Sequence, residues 1–333
     1  MSARQPIGIG LYGANAHQIQ RLLDDRPLAR LVAIAALPRS ALTNTQQVDP
    51  RIREYASLDE LLGDREVELV SLCSPRRRDQ AGEALRCLAA GKHVYAEKPC
   101  AMTEADLDRI AAAAGRGPAQ FHEPAVTAIW QPFLRMRSLV QAGTIGEVVQ
   151  VFAQKSYPYF EGRPQDEDDD GGLTMQAGIH AVRLIEHVAL TPITAIEAFE
   201  TRLGDPHAGG LRMASSMMAR LDNGGVATIL ANYLNPAGFG RWGNDQLRIY
   251  GARGMLEAVD DGQRTRLIVG AEDRGAIATA EPPVEYFDLY LKALCGQGRM
   301  PFTLEDELHP TRVVIRAKAS ADRHAAREQA QES

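Results

Sequence analysis

The chain has few cysteines, no long apolar run and no excess of positive charge, and each shortage excludes something. Only four cysteines occur, Cys73, Cys87, Cys100 and Cys295, and no two form a C-x-x-C pair. That pattern fits a reduced protein without structural zinc, with each thiol serving as small buried filler. No run of residues approaches the roughly 18 apolar positions of a membrane span. No basic stretch followed by an apolar core opens the chain, so a secretory signal is not expected and the cytoplasm is the expected location. Acidic residues outnumber basic ones, 43 against 37, for a formal net charge of -6. This argues against nucleic acid or an anionic membrane as the main partner. The sequence shows no internal repeat, no metal-ligand set, and no Ser-His-Asp or Cys-His arrangement. The acidic run Asp166 to Asp170 reads as a solvated loop, with a metal site as the lesser alternative.

What is present is ordinary globular material, 333 residues of which 45% are hydrophobic, long enough for two cores. Up to about residue 122 short apolar runs alternate with helical ones. "IGIGLY", "RLVAIAAL", "VELVSLCS", "KHVYAE" and "AQFHE" read as strands. Between them "AHQIQRLLDD", "SLDELLGD", "RDQAGEALRCLAAG" and "MTEADLDRIAAAA" read as helices. Such alternation predicts an α/β fold, a doubly wound parallel sheet of Rossmann type. The second half changes character, with longer β-like runs separated by turns such as "DNGG" and "GARG". It predicts an α+β domain with a large, mainly antiparallel sheet, one helix over 173–190, and closing helices near 284–294 and 305–323. The boundaries expected are a dinucleotide-binding domain over 1–123, a substrate and oligomerisation domain over 124–325, and a frayed tail over 326–333. The closing helices are free to pack back on the first domain.

"GIGLYG", Gly8 to Gly13, is a literal G-x-G-x-x-G, but most of it belongs to the first strand. The phosphate-binding turn is expected just after it, over Gly13, Ala14, Asn15, Ala16, His17 and Gln18. Gly13 makes the tight turn. Asn15 stands for the second glycine, being tolerant of the left-handed region, and Gln18 for the third. The backbone N–H groups of Asn15 to Gln18 would then face a pyrophosphate at a helix N-terminus; an ordinary strand-to-helix turn is the alternative. The second strand ends without the acid that would hold a ribose 2′-hydroxyl. Arg39 and Ser40 stand there instead, which favours NADP over NAD unless Arg39 is simply a surface arginine.

Further motifs follow in series: Ser74-Pro75-Arg76, then Gly91-Lys92-His93-Val94-Tyr95-Ala96-Glu97-Lys98-Pro99, then "LVQAGTIGEVVQVFA", "RLDNGGVATI" and "LRIYGARGMLEA". In order and spacing the chain resembles the Gfo/Idh/MocA oxidoreductases, the glucose–fructose oxidoreductase and inositol dehydrogenase family. The departures are Arg76 where that family usually has Asn and Asp79 where it usually has His. The resemblance implies a nicotinamide cofactor, NAD or NADP, held by the glycine turn with Ser74, Pro75 and Glu97. It implies that Lys98 lies near the nicotinamide and binds or helps deprotonate a substrate hydroxyl. A lysine at the C-terminal end of a parallel strand suits that task on physical grounds as well, and the Lys98–Pro99 bond is a candidate cis bond.

The family's G-G-x-x-x-D-x-G-x-H-x-x-D element reads here from Gly171 to Arg183. His180 matches the family histidine, whereas Gln176 and Arg183 replace its two aspartates. Helical spacing puts Gln176, His180, Arg183 and His187 on one stripe, facing either a cleft or solvent. In the cleft reading His180 is the general base, Lys98 polarises the alcohol oxygen and Gln176 positions the substrate. His122, Tyr157 and Arg183 join the substrate set, and Tyr159 and Trp242 are further ring-stacking candidates. The function expected is hydride transfer between NAD(P) and a sugar, sugar acid or polyol. The alternatives are a sensor of the same fold without catalysis, and a redox-assisted glycosidase or lyase. An open sheet suggests a homodimer or homotetramer.

Overall fold

A computed structural model describes residues 5–207, 209–279 and 284–332. Two compact units make up the chain. The first comprises residues up to Pro124 together with Asp168–Asp170 and Glu285–Leu308; the second comprises Ala125–Glu167, Gly171–Val284 and the residues from His309 onward. Of the two segments that return to the first unit, Glu285–Leu308 lies among the closing helices left free to pack back on it, and Asp168–Asp170 is the acidic run.

In the first unit six parallel strands, β1 (Ile7–Tyr12), β2 (Ala29–Ala35), β3 (Arg53–Tyr55), β4 (Leu69–Leu72), β5 (His93–Ala96) and β6 (Phe121–His122), stand in the order β3-β2-β1-β4-β5-β6. The strand order reverses between β1 and β4, which is where an open α/β sheet receives its ligand. β1 and β4 are buried along both faces, as a continuous apolar run requires. Gly8 and Gly10 lie inside β1. A Cβ at Gly8 would stand 1.7 Å from the carbonyl oxygen of Glu66, so that glycine serves the strand and its neighbouring turn. The helices Gln80–Ala89 and Glu104–Ala114 form as their patterns predict, the second capped by the Thr103 hydroxyl, which accepts from the Asp106 N–H at 3.1 Å. The helix Tyr286–Leu294 adds Phe287 and Tyr290 against Tyr95, with ring centroids 5.2 and 6.0 Å apart.

The helix expected after the first strand does not form. Gly13 to Ile19 are irregular, and only a 3-10 turn follows, Gln20–Leu23. Two residues explain this. Ala16, not Asn15, takes the left-handed conformation, at φ 75°, which ends any helical run. The Gln18 side chain turns back into the sheet end. It donates to the carbonyls of Gly13 (2.9 Å), Tyr12 (3.3 Å) and Ser71 (3.3 Å), and accepts from the Ser71 hydroxyl (2.6 Å).

In the second unit, eight strands form one sheet: β7 (Val148–Ser156), β8 (Ile193–Thr201), β9 (Ala214–Leu221), β10 (Val226–Asn232), β11 (Asn244–Gly251), β12 (Gly254–Val259), β13 (Arg264–Val269) and β14 (Glu272–Gly275). Their order is β14-β13-β12-β11-β7-β10-β9-β8, antiparallel except where β10 runs parallel to β7. The helix expected over 173–190 is broken into Gly172–Gln176, Gly178–Arg183 and a π-turn Leu184–Val188. A Cβ at Gly178 would stand 3.1 Å from the Met217 methyl, so glycine lets this helix lie close on the sheet. The closing helix, Leu304–Glu332, runs through the stretch expected to fray. Ser333, the end of that stretch, lies outside the described residues. No helix among the described residues is long and apolar enough to cross a membrane.

Gly13→Ala tests the tight end of β1. At φ 72° the new Cβ would lie 2.0 Å from the Cys73 carbonyl oxygen. Left-handed strain and backbone overlap together predict a loss of about 3 kcal/mol or more, read as a lowered urea midpoint with an unchanged m-value.

Candidate functional site

At the switch between β1 and β4, the loops 13–19 and 73–79 face each other. Gly13 is irreplaceable there because β1 and β4 converge on the Cys73 carbonyl. The Asn15 N–H donates to that carbonyl at 3.3 Å and the Gln18 N–H to Ala16 at 3.3 Å, leaving the N–H groups of Ala14, Ala16 and His17 without a partner among the described residues. The Ser74 hydroxyl is fully buried at the end of β4 with no hydrogen-bond partner among the described residues. An orphaned buried hydroxyl beside a glycine turn with three such N–H groups fits the diphosphate and ribose of a dinucleotide. Gln18 does not belong to that set, because its side chain and its N–H are both committed to the protein.

Pro75 and Arg77 complete the loop. Pro75 accepts from the Asn15 amide at 3.4 Å, and the buried Arg77 donates to the Asn15 carbonyl at 3.2 Å and to the Gln80 side chain. Gln80 in turn donates to the carbonyls of Glu97 and Pro99 (3.1 Å for the latter) and accepts from the Ser74 N–H at 3.3 Å. The Gln80 amide therefore holds the loop after β4 to the Glu97-Lys98-Pro99 turn after β5, whose Lys98–Pro99 bond is cis. Sequence reasoning passed over Gln80 and Arg77. Among the three adjacent arginines Arg76, Arg77 and Arg78, only burial separates Arg77 from its neighbours.

Glu97 and Lys98 are both buried, with the ammonium 3.8 Å from the carboxylate. The exposed His17 ring places Nδ1 3.1 Å from the same oxygen. Burial pushes the Glu97 carboxyl upward. The His17 hydrogen bond, followed by the charges of His17, Lys98 and Arg77, outweighs it and holds the group at about 2. Glu97 is therefore the fixed counter-charge of Lys98.

Two candidates in this unit are otherwise engaged. The Arg39 guanidinium pairs with Glu54 and donates to the carbonyls of Gln47 (3.3 Å), Asp49 (3.3 Å) and Ile52 (2.6 Å). It staples the 47–54 segment. His122 Nδ1 lies 2.8 Å from the fully buried Glu307 carboxylate, which also accepts from the Tyr286 hydroxyl and, at 3.2 Å, from the Glu123 N–H. Its ring stands edge-on to Tyr290 at 4.3 Å. Only Nε2 remains for other work, so His122 is first a structural group. Glu307 was missed because nothing in its local sequence sets it apart from the other acids that open its helix.

In the second unit, His180 is nearly buried, with Nδ1 3.4 Å from the Thr127 hydroxyl. The Tyr157 ring stands edge-on to it at 6.3 Å and leads to Trp242 at 6.1 Å. Arg163 lies under this aromatic group, 3.5 Å from the Tyr233 centroid. Of the helical stripe, His180, Arg183 and His187 are buried and Gln176 is partly so, which excludes a solvated face. Arg183, at 1% exposure, is a buried group. No cluster of three His, Cys, Asp or Glu suited to a metal ion occurs among the described residues.

Two domain models of one family match in tandem. The oxidoreductase family's NAD-binding Rossmann fold covers residues 7–123, and the Gfo/Idh/MocA C-terminal domain covers residues 133–257. The chain belongs to the Gfo/Idh/MocA oxidoreductase family. It is 24% identical over 304 residues to the myo-inositol 2-dehydrogenase of Thermotoga maritima, covering 86% of this chain and 84% of that protein. It is 29% identical over 166 residues to the trans-1,2-dihydrobenzene-1,2-diol dehydrogenase of Xenopus laevis, and the match spans about half of each, 48%. The structure of an aldose-aldose oxidoreductase from Caulobacter crescentus superposes with a TM-score of 0.79 over 96% of this chain and 98% of that one; at 18% identity this speaks for the fold.

Glu97 makes acid stability testable. Its folded value of about 2 lies below that of an unfolded glutamate, about 4.3. The stabilisation is present in full above the unfolded value and is lost as pH falls from there toward 2. Glu97→Gln should therefore flatten the loss of stability between about pH 4.3 and pH 2, measured by urea unfolding across that range.

Proposed function

We propose that the protein is a nicotinamide-dependent dehydrogenase that moves a hydride between NAD(P) and a hydroxyl or carbonyl carbon of a sugar, sugar acid or polyol. The observation that carries this reading is Lys98, a buried ammonium held by an ionised Glu97 at the C-terminal end of β5, on the same sheet edge as the glycine turn. Such a lysine binds and polarises a substrate oxygen. His180 and Gln176, in the second unit, carry over from the sequence reading as proton acceptor and orienting amide, since a glutamine cannot accept the proton itself. The cofactor supplies the hydride acceptor when bound. The relatives point to ring polyols, because the names of two of them specify an inositol and a cyclic diol.

The experiment is a side-by-side titration with NADH and NADPH, followed by turnover with ring polyols and aldoses. Micromolar binding of a reduced cofactor is expected, without preference for NADPH, because Arg39 is engaged elsewhere. Lys98→Ala and His180→Ala should each lower kcat by about 100-fold or more while cofactor affinity stays near that of the parent. One observation favours the non-catalytic reading: Gln176 stands where the family has an acid. Cofactor binding with no turnover of any sugar or polyol tried would support that reading.

We further propose that a second copy of the chain covers the outer face of the eight-stranded sheet. Met218 is 73% exposed there, in one row with Thr228, Phe152 and Arg248, with Val226 and Tyr250 in the next. Met218→Glu should shift the mass measured by light scattering from dimer or tetramer to monomer.

A further inference from the structure

The loop after β4 carries two arginines that the family pattern does not call for, and both face an acidic segment. The Arg76 Nε donates to the Asp169 carboxylate at 3.1 Å, with its terminal nitrogen 3.6 Å from Asp168. Arg78 donates to Asp168 at 2.7 Å. The Asn15 amide, from the glycine turn, donates to the Asp169 main-chain carbonyl. Asp168 and Asp169 thus sit across the two loops that flank the β1–β4 switch, and the run read from sequence as a solvated loop is ion-paired there.

In a dinucleotide fold the diphosphate is ordinarily met by backbone N–H groups and by the positive end of a helix beginning at the glycine turn. Here that helix is absent. The turn is followed by irregular chain and then by four residues of 3-10 helix, Gln20–Leu23. The N–H groups of Ala14, Ala16 and His17 carry no net charge and cannot by themselves balance two negative charges. The only guanidinium groups on the facing loop other than the buried Arg77 are those of Arg76 and Arg78, and both are partly exposed. Their present partners are two carboxylates, which match a diphosphate in charge.

We propose that Arg76 and Arg78 are the charge-bearing ligands of the cofactor's diphosphate, and that Asp168 and Asp169 occupy them as a placeholder that the diphosphate displaces. The proposal rests on the dinucleotide reading above. It replaces the missing helix end with side-chain charge, which is stronger and more sensitive to salt. It also makes cofactor affinity the difference between two anions competing for one pair of guanidinium groups.

The test measures NADH and NADPH binding by calorimetry at low and high salt, with inorganic pyrophosphate as competitor. The wild-type chain is compared with D168N/D169N, R76Q/R78Q and, as a check on folding, R76K/R78K. The D168N/D169N variant keeps the side-chain shape and loses the negative charge, and it should bind several-fold more tightly. R76Q/R78Q should bind about tenfold more weakly and lose most of its salt dependence. R76K/R78K should retain more affinity than the glutamine variant. Binding by R76Q/R78Q within about twofold of wild type overturns the arginine assignment. Unchanged or weaker binding by D168N/D169N overturns the placeholder, with the dehydrogenase reading intact if the wild type binds. Binding by D168N/D169N alone supports the proposal. If no form binds either nucleotide, the dinucleotide reading fails and this proposal fails with it.

Discussion

The convergence of β1 and β4 on the Cys73 carbonyl is the constraint on which the first unit depends. Two parallel strands buried on both faces must end somewhere, and here they end within van der Waals distance of each other. Only a glycine with positive φ fits between them, and Gln18 pegs the two ends together through three carbonyls and one hydroxyl. Everything that reaches the switch point is positioned from this joint: Asn15 and Ala16 on one side, Ser74 to Arg78 on the other, and through Gln80 the Glu97-Lys98-Pro99 turn. The joint also explains what is missing. A side chain that reaches back into the sheet cannot share its residue with the first turn of a helix packed outward, so the usual helix does not start.

Charge is arranged around this joint in layers. Buried Arg77 and Lys98 are balanced within the protein, one by backbone and amide oxygens and the other by Glu97. His17 links that interior carboxylate to the surface of the turn. Arg76 and Arg78, further out, hold acids brought in from residues 168 and 169. The second unit builds its own polar interior differently. A helix broken at Ala177 and again by a π-turn lies on the sheet through Gly178, and this places His180 beside Thr127 and the Tyr157 ring. Such backbone irregularity is a common way of aiming a side chain inward from a helix.

Much of the fold was legible from residue patterns, for a stated reason. Both-face burial writes continuous apolar strands, one-face burial writes alternating ones, and Thr and Gly caps mark helix ends. The alternation before residue 122 and the long runs after 147 therefore reported their sheets, except for the three-residue β3, which carries no apolar run. The site was legible only where a motif is long. Lys98 and His180 stand out through a series of spaced matches, whereas Arg39 and His122 were singled out by position at a strand end alone. Position at a strand end does not say whether a side chain points to a ligand or back to a carbonyl, and both residues turn out to serve the protein.

By itself the sequence determined the class of both sheets, the place of the glycine turn and the family motifs that bring Lys98 and His180 forward. These follow from local periodicity and short spacings, which the chain carries wherever it goes. Tertiary structure alone decided which of three adjacent arginines is interior, that Gln18 replaces a helix start, that Glu97 stays ionised when buried, that Glu307 holds His122 and that Asp168 and Asp169 meet Arg76 and Arg78. Each of these rests on a link between residues 53 to 185 positions apart, and no local pattern encodes a contact of that kind.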